Sequence, residues 1–171
     1  MTYPRQLEDN LTYSADGRRY PGVPALEGAP SEQPYDEGVL LGYRWYDAQG
    51  MDPIFPFGHG LSYTELTYSE LEVERLDDDA LDVHFKLRSS GHVLGTEVAQ
   101  VYLGRSESSR IPMAVRQLVG FERVELGPGE ERLVHVPVGR RELSFWSTDA
   151  HGWTRAAGPR TTPVGSSSRD L

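Results

Sequence analysis

Several groups of residues in this 171-residue chain are of types that do chemistry. It carries 26 acidic side chains, enough to supply a facing pair for general acid–base work if a cleft brought two together. Five histidines, His59, His84, His92, His135 and His151, could bind a metal, but no pair has a metal-ligand spacing, so surface histidines are expected and not a zinc site. Asp77-Asp78-Asp79 is acidic enough for calcium, yet it lacks the alternating ligands and distal Glu of a calcium-binding loop and fits a solvated turn. Ser166-Ser167-Ser168 has no neighbouring base and reads as a polar chain end. Gly127-Pro128-Gly129 is too short to cradle a phosphate. The most concentrated group is aromatic: Tyr43, Trp45, Tyr46, Phe55 and Phe57, with Arg44 and Asp47 among them. Such rings could stack on sugars or pack against another domain; packing is the expectation. Arg44 and Asp47 are expected to make ion pairs or backbone contacts.

The elements that position these groups are short. Gly (18) and Pro (12) are frequent, which favours many turns over long helices. Residues 1–36 hold Pro4, Pro21, Pro24, Pro30 and Pro34 and read as an irregular arm. Glu37–Asp47 is a continuous apolar and aromatic run, Val39-Leu40-Leu41-Gly42-Tyr43-Arg44-Trp45-Tyr46, and predicts a strand buried on both faces. No similar strand exists elsewhere in the chain, so its partners are expected outside it. Residues 48–64 turn repeatedly but are apolar, and should pack down on something.

From residue 66 the period changes to two. Leu81, Val83, Phe85 and Leu87 alternate with Asp82, His84, Lys86 and Arg88, as in a sheet with one wet face. Further strands are expected near Tyr68–Leu76, Val98–Leu103, Leu118–Leu126 (bent or bulged), Val134–Val138, Leu143–Trp146, Trp153–Ala157 and Thr161–Val164. Pro137 confines its strand to an edge or ends it early, and Pro163 should fray the last one. The fold class expected is all-β, an immunoglobulin or fibronectin type III-like sandwich of about seven strands over 66–171. An irregular arm and linker, 1–65, precede it.

Composition closes other routes. A formal charge of −9 argues against a nucleic-acid partner, and no apolar run is long enough for a membrane span. There is no cysteine for a disulfide or thiolate site. The amino terminus lacks the apolar core of a secretory signal, so the location expected is cytoplasmic or undetermined.

Glu37-Gly38-Val39 with Gly42–Asp47, then Pro53-Ile54-Phe55-Pro56-Phe57-Gly58-His59-Gly60-Leu61-Ser62-Tyr63-Thr64, resembles family 3 glycoside hydrolases, the β-glucosidases and relatives. The resemblance continues through Gly95–Leu103, Leu118–Val124, Leu126–Glu130, Arg140–Trp146 and Val164–Leu171. It implies a position: the end of the family's α/β domain, a linker, and the carboxyl-terminal fibronectin type III-like domain. The family's nucleophile and acid/base carboxylate belong to regions upstream of anything matched here. No catalytic, cofactor or metal residue is therefore carried over. The resemblance implies a non-catalytic, bracing piece of a glycoside hydrolase, partnered by catalytic domains or by itself. The alternative is a free-standing carbohydrate- or protein-binding module, and an independent small enzyme is the third reading. Retaining glycosidases need two carboxyl groups about 5–5.5 Å apart across a cleft, and a small helix-free sandwich offers none.

Overall fold

The computed structural model describes residues 38–76, 79–107 and 111–171. The expected arm over 1–36, Glu37 and the Asp77-Asp78 turn lie outside the described residues.

Among the described residues, eight strands follow one short helix. They are β1 (Leu66–Arg75), β2 (Leu81–Ser89), β3 (Gly95–Gly104), β4 (Arg116–Leu126), β5 (Glu131–Val138), β6 (Ser144–Ser147), β7 (Gly152–Arg155) and β8 (Val164–Gly165), after helix α1 (Tyr43–Gln49). One sheet has the order β1-β2-β5, a second β4-β3-β8, and β6-β7 form a hairpin. All pairings are antiparallel.

The alternation in β2 produces the core directly. Val83, Phe85 and Leu87 face inward and meet Ala99, Val101 and Leu103 of β3, Val119, Val124 and Leu126 of β4, and Val134, Val136 and Val138 of β5. Burying the apolar area of one such side chain contributes about 1.5–3 kcal/mol. The result is an all-β sandwich, as the period-two patterning predicts. Pro137 sits opposite Asp82 on β5, which among the described residues is the edge strand of the β1-β2-β5 sheet, the place a residue without an N–H requires. β4 is irregular as expected, with a register shift against β3 between Val101 and Tyr102.

One expectation is corrected here. The apolar run 37–47 contains no strand among its described residues; Tyr43–Gln49 is helical. Gly42 opens the helix, and Gly50 closes it in the left-handed region at φ 64°, where its N–H meets the carbonyls of Asp47 and Tyr46. A short apolar run cannot be assigned to strand or helix by periodicity, and what decided it here is a tertiary contact pattern. Tyr43, Tyr46 and Asp47 stand at i, i+3 and i+4, one face of a helix, and that face lies on the sandwich. The polar chain end is packed against the linker. Ser167 and Ser168 are buried, and the Ser168 N–H donates to the Phe57 carbonyl at 2.8 Å.

The last strand is short, as Pro163 predicts, yet it is held. The Tyr102 N–H donates to the Pro163 carbonyl at 2.9 Å and the Gly104 N–H to the Thr161 carbonyl at 2.8 Å. Proline lacks only the donor, and here its acceptor is used.

Candidate interdomain interface

Helix α1 and the turns after it lie over the outer face of the β4-β3-β8 sheet, where β3 turns Gln100 and Tyr102 away from the core. Tyr102 is fully buried even though it points outward, because the linker covers it. Its ring meets Tyr43 edge-on at 5.9 Å, and Tyr43 in turn tilts against Phe57 at 5.3 Å. The Leu118 N–H donates to the Tyr43 hydroxyl at 2.8 Å. The Tyr102 hydroxyl donates to Gln100 Oε1 at 2.5 Å, and Gln100 Nε2 donates to the Ser166 carbonyl at 2.7 Å. Linker, sheet and chain end thus close one polar and aromatic network. Burial pushes the Tyr102 phenol well above its ordinary range, so it stays a neutral donor.

Asp47 is the electrostatic centre of this contact. Its side chain is 1% exposed and lies 2.9 Å from Arg116 Nε and 3.1 Å from an Arg169 guanidinium nitrogen. Arg116 also donates to the Ser168 carbonyl, and Arg169 to the Met51 carbonyl, each over a short distance of 2.9 and 2.8 Å. Burial pushes the Asp47 carboxyl above the usual carboxylate range, against the opposing pull of both arginines. Gly58, at φ 86°, lets the chain pass so close to β3 that an added Cβ would lie 2.0 Å from Gln100 Nε2.

The aromatic group therefore divides. Tyr43, Tyr46 and the Asp47 carboxylate are turned to the sandwich, and Trp45 stands edge-on to Tyr46 at 5.3 Å. Arg44 reaches the Val39 carbonyl at 3.4 Å, a backbone contact of the kind expected. Phe55 stacks on His59 at 5.4 Å and is exposed. The other side of the linker is apolar and open: Val39, Leu41, Ile54, Phe55, Leu61 and Tyr63 are exposed, Leu61 at 96% and Tyr63 at 100%. Patches of this kind mark contact surfaces.

The groove of about 220 Å³ between Leu103, Leu143 and Arg160 has no Asp or Glu in its lining. Burial there lowers the affinity of Arg160 for its proton, and its Nε donates to the Gly104 carbonyl at 2.7 Å. Two features escaped sequence reasoning. Trp146 and Trp153 pair across the β6-β7 hairpin, rings 5.7 Å apart, with Arg141 over the Trp153 face; aromatics on both strands beside a tight turn were the available signal. His84 and His135 lie directly opposite each other on β2 and β5, a juxtaposition that only strand register reveals.

Comparison with known proteins now fixes the family. Residues 97–168 match the model of the fibronectin type III-like domain. The structure superposes on a β-glucosidase, DesR, from Streptomyces venezuelae, solved with D-glucose, with a TM-score of 0.81 and 44% identity, over 84% of this chain and 18% of that one. Residues 97–168 are a fibronectin type III-like domain, and the chain is similar to the corresponding region of family 3 β-glucosidases. β-Glucosidase 3B from Thermotoga neapolitana matches over 99% of the module and 22% of its own chain, at 34% identity and a TM-score of 0.81. Thermostable β-glucosidase B from Acetivibrio thermocellus is 35% identical over 173 residues, 99% of this chain and 22% of that protein. The module thus spans about a fifth of the length of these relatives.

Proposed function

We propose that this module is a non-catalytic brace for a family 3 glycoside hydrolase, docking through the open side of its linker onto the catalytic region of such an enzyme. The observation that carries the reading is the two-sidedness of residues 39–63. One side is tied to the sandwich by Asp47, Tyr43 and Ser168, while the other exposes Val39, Leu41, Ile54, Leu61 and Tyr63. A segment anchored so firmly on one face, and so apolar on the other, is suited to joining two bodies. The similarity to β-glucosidases supports glycosidic substrates for the assembled enzyme, with the chemistry performed by residues outside those described here.

Co-expression tests it. The catalytic region of a family 3 β-glucosidase, produced without its own fibronectin-like module, should copurify with this chain and gain thermal stability. Leu61→Asp with Tyr63→Asp should abolish the association without changing the circular dichroism of the module. Turnover of aryl β-glucosides by the module alone, or unimpaired association of the double variant, refutes the reading.

A further inference from the structure

We propose that the outer face of the β1-β2-β5 sheet holds a site for a first-row divalent transition ion such as Zn²⁺, built from Asp82, His84 and His135. Strand register makes the site. His84 and His135 are directly opposite on β2 and β5, and their rings lie 5.3 Å apart. Asp82 is two residues from His84, so its carboxylate shares that face. One ligand atom from each of the three residues falls within 4.8 Å of the other two. Asp82 Oδ2 is 2.8 Å from His135 Nδ1 and 3.6 Å from His84 Nδ1. A tetrahedral ion with bonds of about 2.0–2.2 Å separates its ligand atoms by roughly 3.3–3.6 Å, a spacing reached here by small side-chain rotations.

The tautomer of His84 points the same way. Its Nε2 lies 3.3 Å from Glu72 Oε2, an acceptor that favours the tautomer with the proton on Nε2. In that neutral tautomer Nδ1 presents a lone pair, and Nδ1 is buried with no hydrogen-bond partner among the described residues. A lone pair facing a carboxylate at 3.6 Å is repulsive unless a metal ion or a proton lies between them. A carboxylate that orients a histidine through its far nitrogen is the usual support of a metal-bound imidazole, and Glu72 occupies that place. Local charge adds to this. Glu74 stands opposite Asp82 across the β1-β2 ladder, a like-charged pair, and the nearby Lys86 is held by Glu70 at 2.8 Å. Two imidazoles with a carboxylate select zinc, copper or nickel over calcium or magnesium. The bound ion would pin the edge strand β5 to β2, so its role is to stabilise the module.

The test is calorimetric titration of the untagged full chain with ZnCl₂ at pH 7.5. One ion per chain is expected, with Tm rising by about 5–10 °C at a hundredfold excess over Kd. Glu72→Gln should weaken binding about 10–100-fold, and His135→Gln, an exposed position that keeps its fold by circular dichroism, should abolish it. Substituting His59, His92 and His151 together should leave it intact. Long-range ¹H–¹⁵N spectra should show His84 protonated on Nε2, with Nδ1 shifting on zinc addition. Absence of saturable zinc binding overturns the proposal, leaving the gap to a proton alone. So does binding that survives the His84→Gln, His135→Gln double variant. Neither result bears on the docking reading, which uses the opposite sheet.

Discussion

Replacing Asp47 with Asn tests whether the clamp on α1 does what its geometry implies. Removing one partner of a fully buried ion pair costs about 3–5 kcal/mol, whereas an exposed pair contributes about 0–1 kcal/mol. Asp47 is almost fully enclosed, but Arg116 and Arg169 keep 25% and 30% of their side-chain surface in water. Both arginines can therefore regain solvent, and burial of the carboxylate already offsets part of their attraction. The expected cost is about 2 kcal/mol, between the two limits. The loss should fall on local opening of the linker, because the sandwich core contains no residue of α1. The Met51 N–H donates to the Tyr46 carbonyl at 2.9 Å and reports that opening. Its hydrogen exchange should accelerate about 30-fold in Asp47→Asn, at roughly 1.4 kcal/mol per tenfold, while amides of Val83 and Phe85 in β2 stay within twofold. Adding Arg169→Gln should bring little further change, since the two act through one contact. A Met51 rate within threefold of the parent, or equal acceleration in β2, would show that the clamp does not govern the linker separately.

Two more substitutions probe the same construction. Gly58→Ala should lower stability by about 1–3 kcal/mol in urea melts, since its Cβ displaces Gln100 and the residue must hold φ 86°; an unchanged midpoint would refute the close approach. Glu130 accepts the Gly127 N–H at 2.9 Å and pairs with Arg132, which hold its carboxyl below the ordinary range. A lowered native pKa contributes stability that is present above the unfolded value of about 4.3 and lost as pH falls through the native one. Glu130→Gln should therefore flatten the acid limb of the stability–pH curve below about pH 4.3 and leave its slope at neutral pH unaltered.

The sandwich was legible because each core strand writes its facing into alternate residues: Val83, Phe85 and Leu87 inside, Asp82, His84 and Lys86 outside. Pro137 likewise announced an edge. The interface was harder to read, since its decisive contacts join residues remote in sequence. Asp47 meets Arg169, and Tyr43 meets Leu118, through no local pattern. The histidine pair was hidden for the same reason, because only the register of β2 with β5 sets His84 against His135.

The misread run at 37–47 is the informative case. An unbroken apolar stretch needs cover on two sides, and a strand between two layers is one geometry that supplies it. A helix satisfies it as well: the i, i+3, i+4 face of Tyr43, Tyr46 and Asp47 lies on the chain's own β4-β3-β8 sheet. Val39 and Leu41, just before the helix, remain exposed. Apolar content thus recorded how many surfaces the segment presents, and the spacing of its polar anchor, Asp47, recorded which conformation presents them. An acid inside an aromatic run is costly to bury unless cations wait for it, so Asp47 was the residue in the run whose position required a particular partner.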